Sequence, residues 1–457
     1  MNHFEHTIAA ISTPCGTGGI SVVRVSGEKA IEISDKIFMA YDGTILKSLS
    51  GYRAKFGKIL YKNKPIDEGV ALVFKKPKSY TGEDIVEISC HGGVCMTSCL
   101  LRSFLELGAT LAQPGEFTKR AFLNGKISLE KAESVIDLIS SNYEKALKMS
   151  SSTFFGSLGK KIEDIKFLLI DVVSDLNAEI DYPDEGIKFS SDKVIDKKIS
   201  KIIYDIEGLL DSYNTGSIIK NGLRTSIIGS PNAGKSTLMN LISKKEKSIV
   251  TDIPGTTRDA IEDTVIFGNI PIILVDTAGI RETDDKIEKI GVEKAIDIAK
   301  QSDLVLFMLD CSSSISNDEI EFITKSINKN KTILIINKTD LNEDFNDKIF
   351  EKHFKKRVFL SAKTGKGLKK LESTIVEFAN FSSVEDENLI ITNERHHDIL
   401  SRALNLIRDV DLKAEKIPSD ILADLIKEVL EILAEFNGEN VEQSIVDSIF
   451  SKFCIGK

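Results

Sequence analysis

Two features of exported and membrane proteins are missing from this sequence. No apolar run approaches the roughly 20 residues that a membrane-spanning helix requires, and residues 1–10 lack the basic and then apolar segments of a secretory signal. We therefore expect a cytoplasmic protein without a membrane span. In that compartment, the six cysteines are expected to be reduced thiols and not disulfides.

Metal-binding cysteine spacing is also missing. Cys90, Cys95 and Cys99 lie close together in the sequence, with His91 directly after the first. Their spacing matches neither the usual zinc pairs nor a familiar cluster motif. We interpret the three cysteines as buried thiols.

The chain lacks an excess of positive charge, since its formal net charge is -9 at pH 7. No overall field therefore attracts nucleic acid, and any RNA contact must depend on a local patch or on a partner protein. The lysine-rich segments 244–247 and 355–357 are candidate patches. Each fits a solvated surface better.

The composition indicates a globular protein with several domains. Hydrophobic residues make up 42% and charged residues 28% of a chain of 457 residues, a length for which about three domains are expected. Segments 8–12, 20–25, 56–61, 70–74 and 85–89 predict strands within residues 1–113, which we interpret as an α+β domain. Helical periodicity then follows at residues 129–139, 165–180 and 195–213, and resumes at 400–407 and 421–436.

The predicted helices carry end signals. Ser128 is a candidate N-cap, Pro183 should stop the second helix, and Ser419 and Gly438 should begin and end the last one. Both halves of the helical region have apolar stripes that need a partner. We therefore predict one helical domain that is interrupted by an inserted domain.

The inserted segment begins with a phosphate-binding motif. Residues 229–237, GSPNAGKST, fit the pattern G-x-x-x-x-G-K-[ST], with a predicted strand at 225–228 and a predicted helix at 236–242. This context places the loop at a helix N-terminus, where backbone N–H groups bind phosphate. Lys235 would reach the β- and γ-phosphates and Ser236 the Mg²⁺. The alternative is a glycine-rich turn that matches by chance.

Three further motifs follow predicted strands in the order that a GTPase requires. The DTAG motif at 276–279 occupies the place of the aspartate that holds Mg²⁺ and the glycine that senses the γ-phosphate. In the NKTD motif at 337–340, the carboxylate of Asp340 can accept hydrogen bonds from the N1–H and 2-amino groups of guanine, which adenine cannot offer. The SAK motif at 361–363 matches the loop that closes over the base, and Thr256 and Thr257 supply a switch threonine for Mg²⁺ and γ-phosphate.

One departure from Ras-like GTPases is visible in the residues themselves. Ile280 follows the DTAG motif, where a glutamine would orient the attacking water. An apolar side chain cannot orient water, and no arginine finger is evident, since Arg258 fits a charge on the switch surface. Another group must therefore position the water.

Motifs outside the GTPase segment are more specific. They are GGISVVRVSG at 18–27, YTGED at 80–84, PGEFT at 114–118 and FCIGK at 453–457. Together with the phosphate loop and TDIPGTTRD at 251–259, they resemble the MnmE (TrmE) family of tRNA-modification GTPases over the whole chain. The resemblance implies a multidomain α/β protein with an N-terminal α+β folate-binding-like domain, an all-α helical domain and an inserted Ras-like P-loop GTPase domain.

The predicted domain bounds are 1–118 for the N-terminal domain and 217–380 for the GTPase domain. The helical domain takes 119–216 and 381–457. The resemblance implies a homodimer formed through the N-terminal domains, and a heterotetramer with an FAD-dependent partner protein. Together they would add a carboxymethylaminomethyl-type group to carbon 5 of the tRNA wobble uridine, using GTP and a folate one-carbon unit such as 5-formyl-tetrahydrofolate.

The site residues follow from the motifs and from the resemblance. The predicted GTP-binding residues are Asn232, Ala233, Gly234, Lys235, Ser236, Thr237, Thr251, Asp252, Ile253, Pro254, Gly255, Thr256, Thr257, Asp276, Thr277, Ala278, Gly279, Asn337, Lys338, Thr339, Asp340, Ser361, Ala362 and Lys363. The Mg²⁺ ligands would be Ser236 and Thr257, and by resemblance K⁺ would be bound by Asn232, Thr251, Ile253 and Thr256. Lys235 is a catalytic candidate from its motif, and Glu288 is a second by resemblance, acting on water through a bridging water.

The resemblance also implies a folate site. Its predicted contacts are Arg24, Glu87, Lys126 and Lys457, of which Glu87 can accept hydrogen bonds from a pterin and the cations can bind carboxylates. The segment 453–457 places an aromatic ring, a thiol and a cation where chain ends usually fray, which indicates that it docks into a site. Cys454 is a candidate nucleophile, with a structural thiol as the alternative.

Three other functions fit parts of the sequence. A ribosome-assembly GTPase would share Asn232, Ile280 and the DTAG motif, but would be expected to carry an RNA-binding appendix after the GTPase segment. A folate-dependent one-carbon transferase with a purely regulatory GTPase is the second alternative. The third is a nucleotide-gated scaffold without chemistry of its own.

Overall fold

The computed structural model describes residues 6–141, 143–181, 192–245, 264–267, 270–275, 297–313, 328–342, 345–379, 389–413 and 418–457. Contacts divide them into two compact units. The first unit takes the described residues up to Asp205 together with Asp398–Lys457, and the second takes those from Ile206 to His397. The division falls within the helices Asp192–Asn221 and Glu394–Lys413.

A seven-stranded sheet forms the N-terminal part of the first unit, in the order β3-β4-β5-β6-β2-β1-β7. The strands are β1 Ile8–Ile11, β2 Ile20–Ser26, β3 Phe38–Ala40, β4 Arg53–Tyr61, β5 Lys64–Phe74, β6 Ile85–His91 and β7 Thr110–Leu111. Neighbours pair antiparallel except β1 and β7. The five predicted strands are confirmed, whereas the short strands β3 and β7 were not predicted.

The two faces of this sheet differ because strand side chains alternate. Helices α1 (Ala30–Ile37) and α2 (Val94–Glu106) bury the inner face around Val23, Val86 and Phe104. On the outer face, helix α3 (Glu116–Leu123) covers β1 through Phe117. Towards β3 and β4 the outer face is exposed at Met39, Phe56 and Val70.

The helical part of the first unit is built from amphipathic helices. They are α4 Leu129–Ser140, α5 Glu144–Phe154, α6 Ser157–Asp181 and α7 Asp192–Asn221, and later α11 Glu394–Lys413, α12 Ser419–Asn437 and α13 Gln443–Ser451. Helices α6 and α12 pack along each other. The predicted periodicity is confirmed at Ile165, Leu169, Val172 and Leu176, all of which are buried.

Some predictions about these helices were wrong. Ile139 and Ile180 are exposed because each is the penultimate residue of its helix, and Ile421 is exposed because the buried stripe of α12 begins one position later, at Leu422. Ser128 is the N-cap residue of α4, but its side chain makes no capping hydrogen bond. Gly438 ends α12 in the left-handed region, as predicted, while Pro183 lies outside the described residues.

The second unit is a six-stranded sheet in the order β13-β12-β11-β8-β10-β9. Its strands are β8 Leu223–Gly229, β9 Thr264–Phe267, β10 Ile270–Val275, β11 Leu304–Asp310, β12 Thr332–Asn337 and β13 Arg357–Phe359. All pairs are parallel except β9 with β10. The helices α8 Lys235–Lys245, α9 Lys348–Glu351 and α10 Leu368–Phe378 accompany them. This confirms the predicted P-loop α/β class.

The central strands β11 and β12 are almost continuously buried, as parallel strands covered on both faces are. Strand β8 lies between β10 and β11, so the chain runs from β8 to β9 and β10 on one side of it and then crosses to β11 on the other side. Open α/β sheets bind ligands at the carboxyl ends of the strands at such a switch point. The phosphate motif stands at the carboxyl end of β8.

The predicted bounds at 118 and 216 lie inside helices α3 and α7, and the bound at 380 lies outside the described residues. All six cysteines are free thiols, as predicted. The prediction of buried thiols holds for Cys90, but Cys95 is exposed and Cys99 half-buried, because α2 turns only one of its faces to the sheet. In the described part of the chain, no group of three metal-ligating side chains occurs and no helix is long and apolar enough to cross a membrane.

Candidate nucleotide and one-carbon sites

The phosphate motif forms a tight loop between β8 and α8. Gly229 and Gly234 have φ angles of 154° and 98°, in the region that favours glycine. A Cβ on Gly229 would lie 2.3 Å from the carbonyl oxygen of Met308, and one on Gly234 would lie 2.4 Å from Nδ2 of Asn337. The two glycines therefore let the loop pack directly against the ends of β11 and β12.

Polar side chains line the mouth of this loop. Lys235 opens α8, and its Nζ donates to the carbonyl oxygens of Gly229 at 2.8 Å and Ser230 at 2.9 Å. Asn232 is exposed with a φ of 62°, and Ser236 and Thr237 are exposed in the first turn of α8. A cation, an amide and two hydroxyls thus meet at a helix N-terminus, which is the chemistry that binds phosphate.

Asn337 joins the loop to the two base-binding motifs. Its Nδ2 donates to the carbonyl oxygen of Ala233 at 2.7 Å, and its Oδ1 accepts from the N–H of Ala362 at 2.9 Å. The side chain is buried, so both bonds are shielded from water. One asparagine therefore fixes the spacing between the phosphate loop and the 361–363 loop.

Asp340 presents a fixed carboxylate at the same edge. It is exposed, and its Oδ1 accepts from Oγ of Ser361 at 2.6 Å. That hydrogen bond is the main cause that holds the pKa of Asp340 below its usual range. The carboxylate is therefore ionised and oriented, as guanine recognition requires.

Lys338 is held by a partner that the sequence did not suggest. Its φ is 65°, and its Nζ donates to Oδ2 of Asp310 at 2.5 Å. Burial raises the pKa of Asp310, but the hydrogen bonds from Lys338 and Ser312 outweigh it, so the net pKa is lowered. Asp310 ends β11, and its position at a parallel strand end was the available signal.

The other predicted GTP-site residues here are also at this edge. Thr339 is buried, and its N–H donates to the carbonyl oxygen of Leu360; Lys363 is exposed. The switch and DTAG residues lie outside the described residues. They are Thr251, Asp252, Ile253, Pro254, Gly255, Thr256, Thr257, Asp276, Thr277, Ala278, Gly279 and Glu288.

In the first unit, the predicted folate residues Arg24 and Glu87 face each other on the outer side of the sheet. They are partners in the register of β2 and β6, and both Nε and Nη2 of Arg24 lie 2.8 Å from Oε1 of Glu87. The guanidinium lies 5.7 Å from the ring centroid of Tyr80 and 5.5 Å from that of Phe117. Arg24 is thus held between two motifs, YTGED and PGEFT.

The segment 453–457 docks beside this pair. Lys457 accepts a hydrogen bond from the N–H of Phe117 through its backbone oxygen at 3.1 Å, and Cys454 accepts one from Gly115 at 3.4 Å. Gly456 has a φ of 95°, and a Cβ there would lie 2.2 Å from the carbonyl oxygen of Ile11. The backbone oxygens of the segment therefore satisfy N–H groups at the N-terminus of α3. The segment is docked on the fold, and its part in a ligand site stays a prediction.

Phe453 anchors the segment. It is 6% exposed and stacks on Phe450 with a centroid distance of 5.3 Å, in a cluster with Leu129. Cys454, one residue later, is exposed. The thiol therefore does not fill the core, although its neighbour does.

Lys126 lies on the other side of the YTGED loop. It occupies the predicted turn, and its Nζ donates to the carbonyl oxygen of Pro77 at 3.0 Å. Its aliphatic stem would lie 3.4 Å from a Cβ on Gly82. The structure thus brings Arg24, Glu87 and Lys457 around Phe117, and places Lys126 at the neighbouring loop.

A buried arginine that the sequence analysis missed holds the two motifs together. Arg120 is fully buried, with Nη1 3.2 Å from Glu83 and Nη2 2.7 Å from Glu116. Glu83 also accepts from Ser26 at 2.7 Å. A charge in the middle of a short helix resembles a surface residue in sequence, so only the clustering of acidic motif residues offered a signal.

Known proteins resemble this chain over its whole length. The family model for the MnmE helical domain matches residues 129–454, and that for the GTP-binding protein TrmE N-terminus matches residues 7–126. The tRNA modification GTPase MnmE of Caldicellulosiruptor saccharolyticus is 41% identical over 453 residues, covering 99% of each chain. That of Carboxydothermus hydrogenoformans is 42% identical over 460 residues, covering 99% of this chain and 100% of the relative.

The chain belongs to the MnmE family. It is therefore a GTPase of a tRNA-modification family, and the resemblance drawn from the motifs is confirmed. Among solved structures, that of Era in complex with MgGDPNP and nucleotides 1506-1542 of 16S ribosomal RNA is 29% identical over 34% of this chain and 56% of that chain, with a TM-score of 0.26. The alignments with the two MnmE relatives each cover 99% of this chain.

Proposed function

We propose that this chain uses GTP hydrolysis to add a carboxymethylaminomethyl-type group to carbon 5 of the wobble uridine of tRNA. It acts with an FAD-dependent partner and takes a one-carbon unit from a reduced folate. The observation that carries the proposal is the docking of residues 453–457 onto α3, 3.1 Å from the N–H of Phe117, beside the Arg24 and Glu87 pair. A chain that needed only GTP hydrolysis would have no use for this second polar site.

The nucleotide half is assigned to the edge of the second unit. Lys235 would bind the β- and γ-phosphates and Asp340 would select guanine, for which its oriented carboxylate is suited. Ser236 is an exposed oxygen ligand in the first turn of α8, which fits Mg²⁺, a cation that prefers oxygen. Mg²⁺, once bound, would neutralise charge on the phosphates, with Thr257 as its second ligand.

The position of Asn232 fits that of a K⁺ ligand. Its left-handed backbone and exposed side chain present an amide oxygen at the mouth of the phosphate loop. With Thr251, Ile253 and Thr256 it would hold K⁺, which supplies the positive charge that an arginine finger provides elsewhere. Glu288 would then position water, and the GTPase domains of two subunits would pair in the GTP state.

For the folate, Glu87 is an acceptor whose partner, Arg24, lies over the rings of Tyr80 and Phe117. Bound to Glu87, Arg24 keeps that carboxylate oriented, while Lys126 and Lys457 supply cations for the carboxylates of the folate. 5-formyl-tetrahydrofolate or a related folate would supply the one-carbon unit. We assign Cys454 to the reacting side of the segment because its thiol is exposed.

We further propose a cytoplasmic homodimer, formed by the outer face of the first unit's sheet. Met39, Phe56 and Val70 are exposed there by 50%, 55% and 38%, on the face that also carries Arg24 and Glu87. An apolar patch of this kind on a soluble protein marks an interaction surface. One such homodimer and one homodimer of the FAD-dependent partner would together form the heterotetramer.

The test is mass spectrometry of wobble uridines in tRNA from cells that lack this protein. The modification should be absent and should return with the wild-type chain. Unaltered wobble uridines in the deletion strain would contradict the proposal. A Lys235→Ala chain tests the transferase alternative, because a one-carbon transferase with a regulatory GTPase would still restore some modification.

A further inference from the structure

The N-terminal sheet carries a concentration of positive charge that the assigned sites do not use. Residues 43–80 contain nine basic residues and two acidic ones, a net charge of 9 - 2 = +7 in a chain of net charge -9. Five of the nine lie where β4 begins and β5 ends. We call these five, Lys47, Arg53, Lys75, Lys76 and Lys78, the cationic rim.

The fold brings the members of the cationic rim together. Arg53 opposes Val73 in the register of β4 and β5, and Nζ of Lys75 donates to the carbonyl oxygen of Lys47 at 3.1 Å. The N–H of Lys78 donates to the carbonyl oxygen of Lys75 at 2.9 Å, which makes residues 75–78 a turn. Four of the five side chains are exposed, and Lys75 is half-buried.

The rim is not neutralised by neighbouring carboxylates. Within the described residues, none of its five side chains forms an ion pair, whereas Lys55, on the same strand as Arg53, pairs with Asp42 at 2.5 Å. Three carboxylates lie near the rim. Asp84 accepts from the N–H of Lys76 at 2.8 Å and Asp35 from that of Lys47 at 3.1 Å, while the pKa of Glu32 is lowered chiefly by Lys36 and to a smaller extent by Lys47. Asp84 and Asp35 order the backbone and leave the ammonium groups available to an anion.

The turn at residues 75–78 brings part of the rim to the proposed folate site, whereas Arg53, the partner of the buried Val73, lies on the opposite face of the sheet. Arg24, Glu87 and Leu72 form one row across the sheet, and Lys75 is three residues beyond Leu72, about 10 Å along the strand. Lys126, a proposed folate contact, donates to the carbonyl oxygen of Pro77 in the middle of the turn. A ligand that passes from Glu87 to Lys126 would therefore meet the rim next.

We propose that the cationic rim binds the poly-γ-glutamate chain of a polyglutamylated reduced folate, which makes that form the preferred substrate. This inference rests on the proposed folate site. Each γ-linked glutamate adds one carboxylate to a flexible chain, and lysines are mobile point charges that suit such a chain better than a planar, bidentate partner. The rim is also small and lies at the exit of the site, which favours the tail of a small ligand over an RNA backbone.

The test compares two ligands by calorimetry with the full chain. At low salt, the pentaglutamate of 5-formyl-tetrahydrofolate should bind about 10-fold more tightly than the monoglutamate, because several exposed charge pairs add up. The advantage should shrink as salt is added. Equal affinities of the two forms would overturn the proposal, while a monoglutamate that does not bind would overturn the folate assignment beneath it.

Two matched double variants locate the effect. Lys76→Gln with Lys78→Gln removes two exposed charges from the rim, and Lys62→Gln with Lys64→Gln removes two from the far end of the same hairpin, about 30 Å away. The first should abolish most of the pentaglutamate advantage and leave monoglutamate affinity unchanged. The second should behave as the wild type.

Electrophoretic mobility shifts with tRNA test the alternative that the cationic rim binds RNA. If the rim variant keeps its preference for the pentaglutamate but loses tRNA binding, the surface belongs to RNA and the proposal is wrong. Loss of the pentaglutamate preference with unchanged tRNA binding supports it.

Discussion

The two sites of this chain are built in opposite ways. The nucleotide edge of the second unit is made of short, contiguous motifs that each follow a parallel strand, and Asn337 links them. The proposed one-carbon site of the first unit joins residues from both ends of the chain, such as Ser12 and Gly456, which are 444 positions apart. A site of the first kind is visible in a sequence, whereas the second kind becomes visible only once the chain is folded.

The largest expected effect concerns K⁺ and the nucleotide edge alone. Replacing K⁺ by Na⁺ should slow GTP turnover about 100-fold and leave GTP affinity nearly intact, because the charge stabilises the transition state more than the ground state. Steady-state hydrolysis and equilibrium nucleotide binding in the two salts measure this. Equal rates would refute it, and folate affinity serves as the control that should not change.

Asn337→Ala should have the next largest effect. It removes two buried hydrogen bonds, to Ala233 and Ala362, and leaves their backbone groups unpaired at a cost of about 2 kcal/mol, which corresponds to a loss of GTP affinity of about 30-fold. Nucleotide titration measures it. Asn328→Ala, at the other end of β12, is the matched control, since among the described residues the Asn328 side chain accepts only from the N–H of Asn330.

The contrast explains how much could be predicted from sequence. The phosphate loop, Asp340 and Ser361 were predicted as site residues because each belongs to a short motif that is contiguous in the sequence. The mutual bond of Arg24 and Glu87 was not, since it depends on the register of two strands that are 63 positions apart. The predicted roles in ligand binding for both residues came from the family resemblance.

The burial of individual side chains was also not predictable from the hydrophobic pattern of the sequence alone. Arg120 in the PGEFTKRAFL segment is fully buried although its neighbour Lys119 reaches the surface and pairs with Asp447. The apolar stripe of α12 was assigned one residue too early at Ile421 because adjacent apolar positions fit either phase. Tertiary contacts, which the sequence does not display, decide both cases.

Gly456→Ala tests the one-carbon site without removing any contact residue. Both Gly456 and Gly108 have φ near 100°, so alanine costs about 1 kcal/mol at either. Only at Gly456 does the Cβ meet a backbone oxygen, that of Ile11, while Gly108 has open space. Gly456→Ala should displace residues 453–457 and weaken 5-formyl-tetrahydrofolate binding about 10-fold in calorimetry. An equal loss of folate affinity in Gly108→Ala would contradict the assignment of residues 453–457 to the folate site.

The smallest expected effect is on the pH dependence of GTP binding at the nucleotide edge. Asp340 has a lowered pKa, chiefly because Ser361 donates to it, so its ionised form persists as the pH falls through the ordinary aspartate range and is lost only below the lowered pKa. Ser361→Ala should move that loss of GTP binding to higher pH and weaken binding about threefold at pH 7. Fluorescent-nucleotide titrations between acidic and neutral pH measure both.

Ser373→Ala is the control for this change, because within the described part of the chain the Ser373 hydroxyl bonds only to the carbonyl oxygen of Lys370 on α10. Its pH profile should match that of the wild type. An unchanged pH profile of GTP binding in Ser361→Ala would mean that the hydrogen bond from Ser361 does not lower the pKa of Asp340.

The most direct test of the two-site account is a calorimetric titration of 5-formyl-tetrahydrofolate into a chain that lacks residues 453–457. The deletion removes the backbone oxygens that bind Gly115 and Phe117, together with the buried ring of Phe453, and leaves the second unit untouched. The account predicts folate binding weakened at least about 10-fold with GTP hydrolysis close to normal. Wild-type folate affinity in the truncated chain would contradict it.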